Sequence, residues 1–206
     1  RDMAILGREL LKQPDTLRFT SMKSFSLRSE DGTKSNTNRL MGRMPECDGL
    51  KTGYIRAAGF CLTATAKRNG IRLLSVLMGS DRTGRFTHSQ EILEKGFELV
   101  QRVAPIQAGS TVGKPVAVVE GLAPEVPLKA ENDISVVVRK SDLDNLLLEV
   151  TAPTTLEAPV AAGKEVGHVR VMLGDMIFGK TALVTAHPVE RKLFKHRFRE
   201  MIGLDP

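Results

Sequence analysis

The stretch of residues 50–66 constrains the fold most, because it has the pattern of two strands joined by a short turn. Residues 50–54 form the first predicted strand, residues 55–58 the turn, and residues 59–66 the returning strand. The returning strand, GFCLTATA, contains Thr, Phe and alternating small residues, which is typical of a packed strand. We therefore expect a β-hairpin within an antiparallel sheet.

The first of these strands contains the tripeptide Lys51-Thr52-Gly53. K-T-G is one of three motifs of the penicillin-recognising serine acyl enzymes, and the others are S-x-x-K, whose Ser is the nucleophile, and S-x-N. The surrounding segments DGLKTGY (48–54), AGFCL (58–62) and RLLSV (72–76) resemble the low-molecular-mass penicillin-binding proteins, which are serine-type D-alanyl-D-alanine carboxypeptidases of the S11 peptidase type. The resemblance extends from the first residue to about residue 185.

This resemblance implies a role for each residue of the motif strand. An open strand edge can accept a peptide substrate as an additional strand, and Gly53 keeps side-chain atoms away from that approach. Lys51 would be the catalytic residue that supports proton transfer at the reacting centre. Thr52 and Arg85 would bind the terminal carboxylate of the substrate, and the backbone N–H of Tyr54 would help to bind the oxyanion.

The activity implied by the resemblance is removal of the terminal D-Ala from peptidoglycan pentapeptides through an acyl-enzyme, which β-lactams would also form. This acyl transfer requires neither a metal nor an organic cofactor. The implied location is the periplasm or cell envelope, at the outer face of the inner membrane.

The sequence lacks the other two motifs of the family. No Ser is followed three residues later by Lys, and no S-x-N occurs. The chain also starts with a predicted helix over residues 1–13, with Met3, Leu6 and Leu10 on one face, so it begins at or inside an element. We expect a C-terminal portion that is inactive alone and needs the N-terminal half of the peptidase domain as its partner.

Two positions depart from the family pattern. The Asn-rich segment at residues 36–40 resembles that of the family, but Thr37 stands where some relatives carry Arg. Ile55 follows the motif strand where the family usually has Thr. These substitutions put an Arg contact at the first position and a hydroxyl contact at the second in doubt.

Composition excludes several classes of protein. The 206 residues are 41% hydrophobic and 26% charged, with a formal charge of +6, which does not by itself indicate nucleic-acid binding. No apolar run is long enough for a transmembrane helix.

The two cysteines are not expected to form a disulfide. From the predicted hairpin, Cys61 lies opposite about Thr52 and too far from Cys47 for such a bond. Two free thiols are expected, with Cys61 buried.

The rest of the first domain is predicted to contain further strands at 71–79 and a long helix. Short strand-like runs at 19–27 and 33–40 flank Asp31-Gly32, a hairpin signal. Thr87 with Gln90 forms a capping box that predicts a helix from residue 87 to about residue 103. Its predicted buried stripe consists of Ile92, Leu93, Gly96, Phe97, Val100 and Val103.

The pattern changes after residues 105–115, which gives predicted domains of residues 1–104, 105–187 and 188–206. Short strands at 116–120, 134–139, 146–150, 166–173 and 181–185 alternate with turns, which predicts a small β-sandwich. The predicted fold is therefore α+β: the C-terminal part of a penicillin-binding, β-lactamase-like transpeptidase domain with flanking helices, then an all-β sandwich, then a C-terminal amphipathic helix.

Residues 174–181, GDMIFGKT, match the phosphate-binding pattern G-x-x-x-x-G-K-[ST]. Such a loop must lead into a helix, whose N-terminus holds the phosphates. The residues that follow, TALVT, favour a strand, so we interpret the match as a hairpin turn. The four histidines have no metal-ligand spacing, and no metal site is predicted.

The C-terminal segment VERKLFKHRFREMI (189–202) repeats apolar residues at helical spacing, with five cations between them. A basic amphipathic helix of this kind suits an anionic membrane surface. The alternative is a helix packed on the β domain.

Two other functions remain open at this point. The chain could be a non-catalytic module that binds cell-wall peptide or a partner, or it could bind a nucleotide at residues 174–181. Upstream S-x-x-K and S-x-N motifs would distinguish the enzyme from the binding module.

Overall fold

The computed structural model describes residues 1–26 and 32–193 of the chain. The chain divides into two compact units, residues 1–101 and the residues from 102 onward. Each unit has its own hydrophobic core. Among the described residues, no helix has the length and apolar character needed to cross a membrane.

The first unit combines three helices with an antiparallel sheet. Its elements in chain order are α1 (Asp2–Leu10), α2 (Pro14–Thr20), β1 (Ser24–Phe25), β2 (Lys34–Ser35), a 3-10 helix (Arg39–Gly42), β3 (Cys47–Ile55), β4 (Gly59–Arg68), β5 (Ile71–Ser80) and α3 (Gly84–Leu99). The three long strands form a sheet of order β3-β4-β5. The fully and nearly fully buried core residues are Leu40, Met41, Met44, Cys47, Leu62, Ala64, Ala66, Phe86 and Leu93.

The structure confirms the predicted hairpin. β3 and β4 pair antiparallel, with Thr52 opposite Leu62, Gly53 opposite Cys61 and Ile55 opposite Gly59. β3 begins at Cys47, three residues earlier than predicted, and a register shift lies between Cys47 and Gly49. The pairing places the Lys-Thr-Gly motif in the second half of an edge strand.

The predicted start of α3 is wrong. The helix begins at Gly84 and not at Thr87. The Asp81 carboxylate accepts hydrogen bonds from the backbone N–H groups of Thr83 (2.9 Å) and Gly84 (2.6 Å). An upstream carboxylate therefore satisfies the first free N–H groups, which is the function of a cap.

The predicted buried stripe of α3 is correct only in part. Leu93 is buried, and Phe97 packs partly buried against the core. A Cβ on Gly96 would lie 2.8 Å from the Leu73 side chain, so the helix packs closely on β5. Ile92 is 49% exposed, and the helix ends at Leu99 because Val100 is extended and begins β6.

The N-terminal prediction also needs correction. The helix predicted over 1–13 ends at Leu10, and Pro14 begins a second helix, as its fixed φ allows at a first helical position. Among the described residues, the runs at 19–27 and 33–40 contain the two-residue strands β1 and β2, which pair antiparallel as predicted. Residues 19–20 belong to α2 and residues 39–40 to the 3-10 helix. Of α1, only Gly7 is buried, against the Leu74 side chain.

The second unit is built mainly from short strands. They are β6 (Val100–Ile106), β7 (Val116–Val119), β8 (Glu125–Val126), β9 (Leu128–Ala130), β10 (Ile134–Arg139), β11 (Leu146–Thr151), β12 (Thr155–Glu157), β13 (Glu165–Leu173) and β14 (Met176–Thr185). They form a sheet of order β11-β13-β14-β9, a sheet of order β12-β7-β8 and the pair β10-β6. Residues from all three sheets share one core, which includes Ile106, Val118, Val126, Leu128, Val136, Val169 and Leu183.

The hairpin interpretation of residues 174–181 is confirmed. Leu173 pairs with Met176 across a two-residue turn, and Gly174 has φ +56. Lys180 and Thr181 lie inside β14, and the buried Thr181 hydroxyl accepts a hydrogen bond from the Asn132 N–H at 3.0 Å. Since a strand and not a helix follows the glycines, residues 174–181 do not form the loop and helix on which the nucleotide-binding alternative rested.

The start of the predicted C-terminal helix, residues 188–206, is also wrong. Val189 is buried in the core of the second unit and forms a β-bridge with Val160. Arg191 forms a β-bridge with Gly121, and its guanidinium pairs with the carboxylate of Glu120. Extended pairing therefore replaces helix at these residues, and residues 194–206 of the prediction lie outside the described part of the chain.

Gly59 tests the hairpin on which the sheet depends. It has φ +66, and a Cβ there would lie 3.2 Å from the Gly79 backbone. We predict that Gly59→Ala destabilises the first unit by about 1–2 kcal/mol, since it combines left-handed strain with a backbone contact. Gly42→Ala is the matched control, because nothing lies within 4 Å of its Cβ position. Urea unfolding measures the free energy of unfolding of both variants, and equal values for the two would contradict the structure.

Candidate active-site strand

The candidate site is built on β3. In the described part of the chain, β4 pairs with one edge of β3 and no strand pairs with the other. Lys51, Gly53 and Tyr54 are exposed, whereas Thr52 is only 8% exposed. The open edge therefore presents backbone N–H and C=O groups to which an extended peptide could add.

The Thr52 side chain meets the Asn-rich segment. Its hydroxyl oxygen lies 2.7 Å from that of Thr37, so the two share a hydrogen bond. Asn36 and Asn38 flank Thr37: the Asn36 side chain accepts from the Asn38 N–H at 2.9 Å, and the Asn38 amide donates to the Gly49 carbonyl at 3.0 Å. These bonds fix the segment against β3 and aim the Thr37 hydroxyl at Thr52.

Arg85 extends from the first turn of α3 to the same strand. Its guanidinium donates to the Gly53 carbonyl at 3.3 Å. It lies between two aromatic rings, 4.9 Å from the Phe60 centroid and 4.7 Å from the Phe86 centroid. Such cation–π contacts hold the planar group in one orientation. Arg85 is therefore positioned beside the motif, as predicted from sequence.

The charge of Arg85 is set by its surroundings. Burial lowers the pKa of the Arg85 guanidinium below its usual range, and repulsion from Arg39 and Arg82 lowers it further. Its Nε is buried and has no hydrogen-bond partner among the described residues. Even with a lowered pKa, an arginine side chain stays protonated at neutral pH, so the site keeps a fixed positive charge.

Lys51 and Gly53 are two residues apart on β3 and therefore lie on the same, exposed face of the strand. The Lys51 ammonium donates to the Thr52 carbonyl at 2.7 Å, and the described residues offer it no carboxylate. A Cβ on Gly53 would meet only the Cys61 Cβ, at an ordinary 3.8 Å. The fold of this unit therefore does not itself require glycine at position 53.

Tyr54 and Ile55 complete the exposed end of the strand. The Tyr54 ring stacks on Phe60, with centroids 4.2 Å apart and an interplanar angle of 29°. Ile55, which replaces the usual Thr of the family, is exposed. An apolar side chain at this position offers no hydroxyl contact to a ligand.

Sequence reasoning brought together Lys51, Thr52, Gly53, Tyr54 and Arg85, and the structure places these residues around one strand. It missed the contact of Thr37 with Thr52 and the position of Phe60 beneath the guanidinium. It also missed Arg39 and Arg82, which line a cavity with Arg85. No local signal marked these two arginines, since Asp81 directly precedes Arg82 and only the fold brings Arg39 to the same cavity.

The cysteines are both free, as predicted, but the predicted burial of Cys61 is wrong. Cys47 is buried, and Cys61 is only partly buried. Burial raises the pKa of the Cys47 thiol above its usual range. The error came from the register: Cys61 pairs with Gly53 near the hairpin end, whereas Cys47 pairs with Ala66 deep in the sheet.

Comparison with family models covers most of the chain in two parts. Residues 1–82 match the D-alanyl-D-alanine carboxypeptidase model. Residues 97–191 match the model of the penicillin-binding protein 5 C-terminal domain. The two matches correspond closely to the two compact units.

Two individual relatives are also named as D-alanyl-D-alanine carboxypeptidases. D-alanyl-D-alanine carboxypeptidase DacF of Bacillus subtilis is 33% identical over 81% of this chain and 44% of DacF. D-alanyl-D-alanine carboxypeptidase DacC of Escherichia coli is 31% identical over 98% of this chain and 51% of DacC. The chain thus spans about half the length of these relatives.

Solved structures agree on the fold. Penicillin-binding protein 5 of Haemophilus influenzae matches with a TM-score of 0.63 and 27% identity, over 92% of this chain and 56% of that one. PBP3 of Streptococcus pneumoniae, described as a peptidoglycan synthesis regulatory factor, matches with a TM-score of 0.69 and 25% identity over the same shares.

A mixed α+β unit with a Lys-Thr-Gly edge strand, followed by a β-rich unit, is the arrangement over which the two family models match this chain. The chain belongs to the S11 D-alanyl-D-alanine carboxypeptidase family and carries a C-terminal domain of the penicillin-binding protein 5 type.

Proposed function

We propose that this chain supplies the substrate-binding strand of a serine-type D-alanyl-D-alanine carboxypeptidase that trims peptidoglycan pentapeptides and is acylated by β-lactams. One observation carries the proposal. The Thr52 hydroxyl and the Arg85 guanidinium converge on the motif strand, whose outer edge is open. A hydroxyl and a fixed cation beside an open strand suit a peptide that ends in a carboxylate.

Each residue has a distinct task in this proposal. The peptide lies along β3, with Thr52 and Arg85 on its terminal carboxylate. The Tyr54 N–H donates to the carbonyl oxygen as that oxygen becomes negative, which lowers the barrier to attack. Gly53 lets the peptide backbone approach, since nothing else in the unit requires a glycine there. The Lys51 ammonium stabilises negative charge near the reacting carbonyl.

The nucleophile has to come from sequence outside residues 1–206. Acylation needs a Ser activated by a base, and no Ser here stands in S-x-x-K. In the full reaction, the Ser oxygen bonds to the penultimate D-Ala carbonyl, and the terminal D-Ala leaves with the Ser proton on its nitrogen. Water then hydrolyses the ester. This chain would bind and orient the peptide substrate, and the Ser of the S-x-x-K segment would attack its carbonyl.

The alternative function is a binding module for cell-wall peptide or a protein partner. The same absence of S-x-x-K from the sequence favours it. Both functions use the open edge of β3, and only covalent chemistry separates them.

We predict that residues 1–206 alone take up no fluorescent penicillin covalently and release no D-Ala from a D-Ala-D-Ala peptide. Joining them to an N-terminal half of the family with S-x-x-K and S-x-N should restore both activities. In the joined protein, Thr52→Val and Arg85→Gln should each lower kcat/KM by roughly ten-fold or more, as each removes a hydrogen bond to a charged group.

Gly53→Ala provides the matched comparison in the same experiment. It should reduce acylation while the midpoint of unfolding stays unchanged, because its Cβ meets only an ordinary contact. A mass shift of the isolated chain, mapped to one of its serines, would overturn the assignment of the nucleophile. Peptide binding without hydrolysis by the joined protein would support the binding module.

The proposed location is the cell envelope, with residues 194–206 at the outer face of the inner membrane. These residues contain Lys195, Arg197 and Arg199 among apolar side chains, whereas Val189 and Arg191 are held by the second unit. A cationic, apolar segment binds anionic lipid, and salt weakens this binding.

A co-sedimentation assay tests this location. We predict that the chain binds vesicles of anionic phospholipid and that binding falls as salt rises. A chain that stops after Leu193 keeps the β-bridges of Val189 and Arg191 and should lose this binding. If both forms sediment equally with the vesicles, residues 194–206 are not the anchor.

A further inference from the structure

A cavity of about 250 Å³ lies beside the motif strand in the first unit. Arg39, Arg82 and Arg85 line it with the hydroxyl-bearing residues Ser35, Thr37 and Thr83, an asparagine and a phenylalanine. We call this cavity the arginine pocket. A carboxylate is far smaller than the pocket, given that one water takes up about 30 Å³ of liquid. The pocket therefore has room for more than the terminal carboxylate of a peptide.

The arginine pocket contains no acidic residue among those that line it. The nearby Asp81 carboxylate is occupied by the backbone N–H groups of Thr83 and Gly84. In the described part of the chain, Arg39 and Arg82 form neither an ion pair nor a side-chain hydrogen bond. The described residues therefore offer no carboxylate that neutralises these two positive charges.

Other arginines of the same unit are neutralised. Arg72 binds both oxygens of Asp48, at 2.7 and 2.8 Å. Arg68 binds both oxygens of Glu94 and one of Glu46. Arg39 and Arg82 are exposed, whereas Arg85 is partly buried like Arg68 and Arg72. Pairing with carboxylates is thus the pattern for Arg68 and Arg72, and Arg85 is the exception among these partly buried arginines, since no described carboxylate pairs with it. Such an exception is typical of a site that receives its anion from a ligand.

The charges of the arginine pocket also act on one another. Arg39 and Arg82 are close enough to lower the pKa of Arg85, and the part of the chain that the structure describes offers the buried Nε of Arg85 no partner. The positive end of the α3 dipole, which starts at Gly84, adds to the same potential. One carboxylate neutralises one of the three charges and leaves the others in mutual repulsion. A second anionic group would relieve that repulsion.

We propose that the arginine pocket binds an oxyanion in addition to the terminal carboxylate, with Arg39 and Arg82 as its specificity-determining residues. Thr37 joins the two positions, since it lines the pocket and its hydroxyl lies 2.7 Å from that of Thr52. The oxyanion is either a carboxylate on the side chain of the terminal residue of a peptide or a free ion such as phosphate. The peptide source rests on the proposed function, whereas oxyanion binding as such does not.

Inorganic phosphate is the first probe, used on the chain of residues 1–206 at constant ionic strength. Phosphate should raise the melting temperature of the chain and bind by titration calorimetry. The double variant Arg39→Gln/Arg82→Gln should bind it about ten-fold or more weakly, as expected on loss of two charged hydrogen-bond donors. Arg8→Gln is the charge-matched control, because Arg8 is exposed on α1 outside the pocket, and it should bind as the unaltered chain does. Absence of phosphate binding, or equal binding by the double variant, overturns the proposal.

Two peptides distinguish the sources of the oxyanion. A peptide ending in D-Ala-D-Glu should displace phosphate, and its binding should weaken in the double variant more than that of a peptide ending in D-Ala-D-Ala. This result supports the peptide source. If phosphate binds in an arginine-dependent way and neither peptide displaces it, the pocket is a free-oxyanion site, and the carboxypeptidase assignment of β3 loses its support. If both peptides displace phosphate and the double variant weakens the binding of both peptides equally, Arg39 and Arg82 do not determine specificity.

Discussion

The backbone pairing of β3 with β4 holds the candidate site together. It sets Gly53 opposite Cys61 and Tyr54 opposite Phe60. The Arg85 guanidinium can therefore contact the Phe60 ring and donate to the Gly53 carbonyl at the same time. A shift of one residue would turn every side chain of β3 to the other face of the sheet. Burial of Thr52 and exposure of Lys51 and Gly53 both follow from this single register.

Electrostatic pairing divides the first unit into structural and binding regions. Arg68 and Arg72 satisfy their charges on carboxylates of the same unit, which anchors the sheet to α3 and to the start of β3. Arg39, Arg82 and Arg85 leave their charges available at the other end of the sheet. Arg85 is the partly buried member of this cluster, so its unneutralised charge costs stability, and a ligand of opposite charge would offset that cost.

The strands and the motif could be predicted from sequence, because alternation and turn residues are local signals. GFCLTATA formed the expected strand, and TALVT after the glycines of 174–181 correctly indicated a hairpin. Contacts set by tertiary packing could not be predicted in the same way. Asp81 rather than Thr87 caps α3, Cys47 rather than Cys61 is buried, and Val189 pairs as a strand within an apparently helical pattern. A nearby carboxylate decided the first case, and partners distant in sequence decided the other two.

The central claim is that Thr52 and Arg85 on an open β3 edge receive the carboxylate end of the ligand. A crystal structure of a penicillin adduct, formed by this chain joined to a segment with S-x-x-K, tests it most directly. The account predicts the penicillin carboxylate within hydrogen-bond distance of the Thr52 hydroxyl and the Arg85 guanidinium, with the ligand amide paired to the backbone of β3. A penicillin whose carboxylate contacts neither residue, with the edge of β3 unoccupied, would contradict it.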